Sequence, residues 1–153
     1  MSYISNNLLN GENLLYSAKL HWVVFLWPAV WFIVAIIFFC GGSNYAVAGG
    51  ILILVAILTG IVSFVNYSTS EFGITTKRVI VKVGLIRRIS IEVLLNKVEG
   101  IQVNQGIFGR ILGYGSITVS GTGGTKDPFH KISDPLAFRR KAQEQISAAQ
   151  ESK

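Results

Sequence analysis

No Asp, Glu, Lys or Arg occurs between Lys19 and Glu71, so residues 20–70, a third of a 153-residue chain, carry no formal charge. All 22 charged side chains crowd into the rest, where their density of about 22% is that of ordinary soluble protein. A single soluble domain of even composition is excluded. Disorder is excluded too, because disordered chains are poor in aromatic residues and this one has 9 Phe, 5 Tyr and 3 Trp.

Trp22 to Cys40 is apolar at every position except Pro28. As a helix, these nineteen residues cover roughly 28 Å, close to the hydrocarbon thickness of a bilayer. Tyr45 to Val65 is a second charge-free run, interrupted only by small or weakly polar Gly49, Gly50, Thr59, Gly60 and Ser63, which membrane helices tolerate. The link Gly41-Gly42-Ser43-Asn44 is short enough to force an antiparallel pair. A secretory signal is the rival reading, because Ala46-Val47-Ala48 has the form of a cleavage site. Such signals have apolar cores of about 7–15 residues behind a positive segment, whereas here Lys19 is the only Lys or Arg before a longer run. The expected organisation is a cytoplasmic N-terminal segment 1–21, a transmembrane hairpin 22–65 with helices 22–40 and 45–65, and a cytoplasmic domain 66–153.

Lys and Arg near the spans set the orientation. The hairpin loop has none, Lys19 precedes the first span, and Lys77, Arg78, Lys82, Arg87 and Arg88 follow the second. Both termini are therefore expected in the cytoplasm, on either side of a multi-pass membrane anchor. Trp22 and Tyr67 fall at the cytoplasmic ends, where amphipathic rings prefer the interface; Trp27 and Trp31 are read as packing residues. Pro28 is expected to kink the first helix, and Ala46 with Gly50 and Ala56 with Gly60 have the small-xxx-small spacing that brings helices together. No ionisable side chain lies inside either span, which argues against a pump or coupled transporter. His21 is read as an interfacial residue.

From about Asn66 the pattern becomes short segments of period two, the signature of strands with one buried and one wet face. Val79, Val81 and Val83 alternate with Arg78, Ile80 and Lys82, and Ile89, Ile91 and Val93 with Arg88, Ser90 and Glu92. Ile101 and Val103, then Ile117 and Val119, repeat it. Between the last two, Gly106 to Gly113 reads as an apolar helical turn plugging one end of a sheet. Ser133-Asp134-Pro135 is a capping residue followed by proline at the first helical position, and Phe138, Ala142, Ile146 and Ala149 share one face of the helix it starts. Strands followed by one amphipathic helix make an α+β domain.

The segments Thr75–Arg88, Glu92–Gln105, Arg110–Val119 and Ile132–Pro135, with Leu9-Asn-Gly-Glu12 and Lys19-Leu-His-Trp22 ahead of the hairpin, resemble the YdbS-like class of bacterial pleckstrin-homology (PH) domain membrane proteins. The resemblance covers nearly the whole chain. It implies a PH-like half-open antiparallel β-barrel or sandwich capped by the C-terminal helix, in a prokaryotic inner-membrane protein of a class without assigned chemistry, with a homo-oligomer as one expected form. The chain departs from the class at Val93-Leu-Leu-Asn-Lys97, where a proline is common.

Catalysis needs convergent reactive groups, and few are present. The one thiol, Cys40, falls at the far membrane interface, away from both histidines. Asp127, His130 and Asp134 straddle Pro128 and read as two loop residues and a helix cap rather than a metal site. Gly121-Thr-Gly-Gly-Thr-Lys126 lacks the Gly-Lys-Ser/Thr ending of a phosphate loop and reads as a hairpin turn. No catalytic residue, metal or cofactor is expected. What remains is charge: residues 66–153 hold 13 Lys and Arg against 7 Asp and Glu. Basic side chains near an anionic leaflet gain about 1 kcal/mol each, so Lys77, Arg78, Lys82, Arg87 and Arg88 are the candidate head-group contacts. Nucleic acid is not expected as a partner, for want of a stacking platform or recognition helix. The expected function is a membrane-anchored scaffold for protein interaction or oligomerisation, assisted by anionic lipid. The alternative is an oligomeric pore or transporter subunit lined by Thr59 and Ser63.

Overall fold

The computed structural model describes residues 3–84, 89–122 and 128–151. The chain forms two compact units, one of residues 1–21 with 69–153 and the other of residues 22–68.

In the second unit, a short 3-10 turn at Trp22–Phe25 leads into helix α2, Leu26–Cys40, and helix α3 runs Ser43–Thr69. Both segments are long and apolar enough to cross a membrane. Helix α3 begins at Ser43, so the link is shorter than its sequence promised. Pro28 lies in the first turn of α2, where backbone N–H groups have no intrahelical acceptor anyway. The expected kink is thus replaced by a 3-10 to α junction. The helices pack on small residues: a Cβ at Gly49 would lie 2.7 Å from the Phe39 nitrogen, Gly60 faces Pro28, and Ala35 and Ala56 are buried. Gly50 faces open space, so the contacting face runs through Gly49, Ala56 and Gly60 and leaves out the Ala46–Gly50 pair. Ring pairs hold both ends, Phe38 with Tyr45 at the turn and Phe25 with Tyr67 at the open end.

Among its described residues the first unit has seven strands. Four make one antiparallel sheet in the order β1 (Leu14–Lys19), β2 (Glu71–Thr75), β3 (Arg78–Val83) and β4 (Ile89–Leu94). Three make the other: β5 (Val98–Asn104), β6 (Tyr114–Gly121) and β7 (Pro128–Ser133). The barrel expectation is corrected here. The 3-10 turn Leu95–Lys97 breaks the ladder between β4 and β5, and among the described residues one isolated bridge, Leu20 to Ile132, joins the sheets. Phe72, Ile74, Val79 and Val81 face the core of the first sheet, and Ile117, Val119, Phe129 and Ile132 are buried in the second. The rings of Phe72 and Phe129 meet edge to face at 6.1 Å. Helix α5, Pro135–Glu151, closes this core with Phe138 and Ala142, both fully buried. Its start matches the sequence reading, since the Asp134 carboxylate accepts from the Ala137 N–H at 3.2 Å.

Strand β1 is the main departure. Residues 1–21, expected as a separate segment, supply an edge strand paired with β2 across the hairpin, from Lys19 opposite Glu71 to Leu14 opposite Thr75. A further short helix, α1 (Tyr3–Asn6), covers the face of the first sheet that the alternation left to water. Ile4 is fully buried on Gly73, where a Cβ would come within 2.7 Å of its Cδ1. The Glu71 carboxylate accepts from the Tyr3 and Ile4 N–H groups, each at 3.0 Å. Strand β3 is therefore buried on both faces from Val79 to Lys82.

Candidate functional site

Because β1 ends at Lys19 and β2 begins at Glu71, the apolar hairpin is an insertion between two paired strands. The chain leaves the domain at His21 and returns at Thr69, so both crossings belong to one edge. That edge supplies a spatial reference for the five basic residues singled out above.

Lys77 and Arg78 stand at the opposite end. Strand β2 carries the chain away from Glu71 to Thr75, roughly 14 Å at strand rise, before Lys77 is reached. That exceeds the screening length of about 8 Å. Both are also engaged within the domain. Lys77 Nζ donates to the Asn10 carbonyl at 2.9 Å. Arg78 pairs with Glu12 through Nε and Nη2 at 2.9 and 3.0 Å, with Glu92 through Nη1, and donates to the Asn7 carbonyl. The Glu12 side chain has no exposed surface. Burial works to raise its carboxyl, but Arg78, the Leu9 N–H and the Thr75 hydroxyl together hold it below the ordinary carboxylate range.

Lys82 is at the insertion edge, opposite Glu71, but it is buried with Nζ 4.1 Å from the centre of the Tyr3 ring. The fold uses Arg78 in an ionic clasp and Lys82 in a cation–π contact. Arg87 and Arg88 lie outside the described residues. The strand ends that flank them, Val83 and Ile89, pair next to Lys82 and Ser90, toward the Glu71 end of the sheet.

His21 is bound firmly to the second sheet. Its N–H donates to the Lys131 carbonyl at 2.7 Å, and its ring lies 5.5 Å from that of Tyr114 and hydrogen-bonds the Leu112 backbone. Lys131 meets this contact with φ at +61°, beside an irregularity in the β6–β7 register. Burial lowers the His21 pKa, and the bond to Leu112 offsets part of that.

Leu112 ends helix α4, Ile107–Leu112, the segment expected to plug the sheet. The helix is present, but it is not a plug. Its inward residue is Gly109, where a Cβ would sit 2.6 Å from the Tyr114 carbonyl oxygen, and its bulky residues face outward. Ile107, Phe108 and Ile111 are 79%, 72% and 74% exposed. Glycine spacing marked the helix in the sequence, but could not tell which side would be buried.

A second feature escaped the sequence reading. An open groove beside the three-stranded sheet is lined by polar Gln102, Asn104, Ser116, Thr118, His130 and Arg139 together with Ile101, Val103 and Pro128. Alternation of the polar residues with Ile101, Val103, Ile117 and Val119 was its signal. Among the described residues no group of three or more metal-ligating side chains converges. Asp134 caps α5, His130 is exposed, and Asp127 and most of the glycine-rich loop lie outside the described residues. The Thr59 hydroxyl donates to the Val55 and Ala56 carbonyls of its own helix. Cys40 is a free, exposed thiol.

Two antiparallel sheets, closed by a C-terminal helix, define a PH-like domain. The family model described as "Bacterial PH domain" matches residues 20–146, and the chain belongs to that family. PH domains generally bind lipids or proteins and serve as interaction modules. Comparison with curated proteins and with solved structures gave no match.

Proposed function

We propose that this protein is a membrane-anchored interaction module, held by a transmembrane hairpin at the cytoplasmic face of a bacterial inner membrane, where it scaffolds a protein partner or its own copies. The observation that carries the reading is the insertion of two charge-free helices between the paired strands β1 and β2. Large apolar side chains such as Trp27, Ile37, Ile51 and Phe64 point outward from the hairpin, which in water would leave an extended unfavourable surface. In a bilayer the same side chains meet hydrocarbon.

Anionic lipid assists through the basic residues of the insertion edge. Lys19 is exposed there, and Arg87 and Arg88 belong to the β3–β4 connection whose flanking strand ends lie on that side. Lys77 remains an accessible cation but at the far end. The finer placement in the YdbS-like class is part of the same proposal.

Two measurements test the reading. Reporter fusions active only in the cytoplasm, placed at each terminus, are expected to give signal at both; an external C-terminus refutes it. Crosslinking in native membranes is expected to capture a defined protein or a second copy, and a strictly monomeric, partner-free profile at every crosslinker length refutes the scaffold role.

A further inference from the structure

Helix α4 is a second candidate contact with the membrane. We propose that Ile107, Phe108 and Ile111 dip into the lipid leaflet that the first transmembrane helix enters, with Arg110 at the head-group level, so that α4 fixes the tilt of the domain on the bilayer. This rests on the transmembrane reading of the hairpin and deepens it.

Three observations carry it. First, with Gly109 as its packed face, the helix turns Ile107, Phe108 and Ile111 outward, a concentrated apolar surface of the kind that marks a contact site. Second, its position is tied to the bilayer by covalent and hydrogen bonds. His21 bonds the Leu112 backbone, and the residue after His21 is Trp22, the first of the charge-free span. Leu112 is one helical turn from Phe108, about 6 Å along the helix. Helix α4 is thus hydrogen-bonded to the residue that leads into the charge-free span.

Third, the composition of the patch suits an interface. Arg110 is exposed on the same short helix, and a guanidinium beside anionic head groups complements apolar residues placed slightly deeper. Exposed Leu136, at the start of α5, adds to this side of the domain, where the Asp134 N–H donates to the Gly113 carbonyl at 2.9 Å.

The test uses the full chain in vesicles of phosphatidylethanolamine with phosphatidylglycerol, in a Cys40→Ser background. A polarity-sensitive fluorophore is attached at Phe108→Cys, at Leu54→Cys in the hairpin and at Lys77→Cys. Expected are a blue shift at 108, quenching by shallow spin-labelled lipid and protection from aqueous iodide, with quenching by deep spin-labelled lipid at 54 and iodide quenching alone at 77. If 54 is lipid-quenched but 108 stays open to iodide, α4 is not a membrane contact and the hairpin reading survives. If 108 is shielded from both iodide and lipid, a protein or second copy covers it and the proposal fails. If 54 escapes lipid quenching, the hairpin reading fails and takes this proposal with it.

Discussion

Arg78 and Glu12 form a two-point ion pair at 2.9 and 3.0 Å between residues 66 positions apart, one ahead of the apolar hairpin and the other behind it. The pair closes the N-terminal segment onto the turn between β2 and β3. It also engages within the domain a cation only three residues past the end of β1's partner strand.

Replacing Arg78 by Ala leaves the Glu12 carboxylate buried without its counter-charge. Removing one partner of a buried pair costs about 3–5 kcal/mol. Thermal unfolding of the full chain in detergent is expected to show a large loss for Arg78→Ala and a smaller one for the double variant with Glu12→Gln, in which both charges are gone. Equal stability of Arg78→Ala and the parent would refute the clasp.

Glu12 also sets an acid limit. Its folded-state pKa is depressed, so on acidification the unfolded chain binds its proton first, at about pH 4.3, and the folded chain only at lower pH. The stabilisation is present above the unfolded value and is lost as pH falls through the folded one. Glu12→Gln is expected to flatten this part of a stability–pH profile measured by denaturant unfolding.

His21 acts in a higher window. Its lowered pKa favours the neutral ring in the folded state, so the unfolded chain takes up the proton first, below about pH 6.5. Stability therefore falls as pH drops from there toward the folded-state value and then levels. Comparing the parent with His21→Gln across pH 5–8 should isolate this slope; identical slopes would remove His21 from the account.

Gly49 and Gly50 offer a paired control in the hairpin. A methyl group at Gly49 meets the Phe39 backbone at 2.7–2.8 Å, whereas one at Gly50 meets nothing within 4 Å. Gly49→Ala is expected to force α2 and α3 apart at a cost of about 1–3 kcal/mol. Gly50→Ala should be neutral or stabilising by up to about 1 kcal/mol, from helix propensity. Unfolding in mixed micelles reads both, and a reversed order would refute the packing face.

The features that local chemistry controls were legible in the residues themselves. A charge-free run of bilayer length reads as two helices in any context, because no other structure satisfies its backbone in an apolar solvent. Asp134 before Pro135 starts a helix through a bond only three residues long. The alternation in β3, β4, β5 and β6 marks strands. Which neighbour each element finds was decided elsewhere. Leu14, Tyr16 and Ala18 alternate with Leu15, Ser17 and Lys19, yet six residues do not reveal that their partner lies beyond a 51-residue insertion. Lys82 has the pattern of a wet-face residue, and it is buried because α1 lies over that face. Helix α4 is apolar enough to be core, but Gly109 is the residue it turns inward. Sequence position placed Lys77 and Arg78 close behind the second apolar helix, and β2 carries them to the end of the first sheet remote from Glu71. Burial and proximity are properties of pairs of distant segments, so only the tertiary structure decides them.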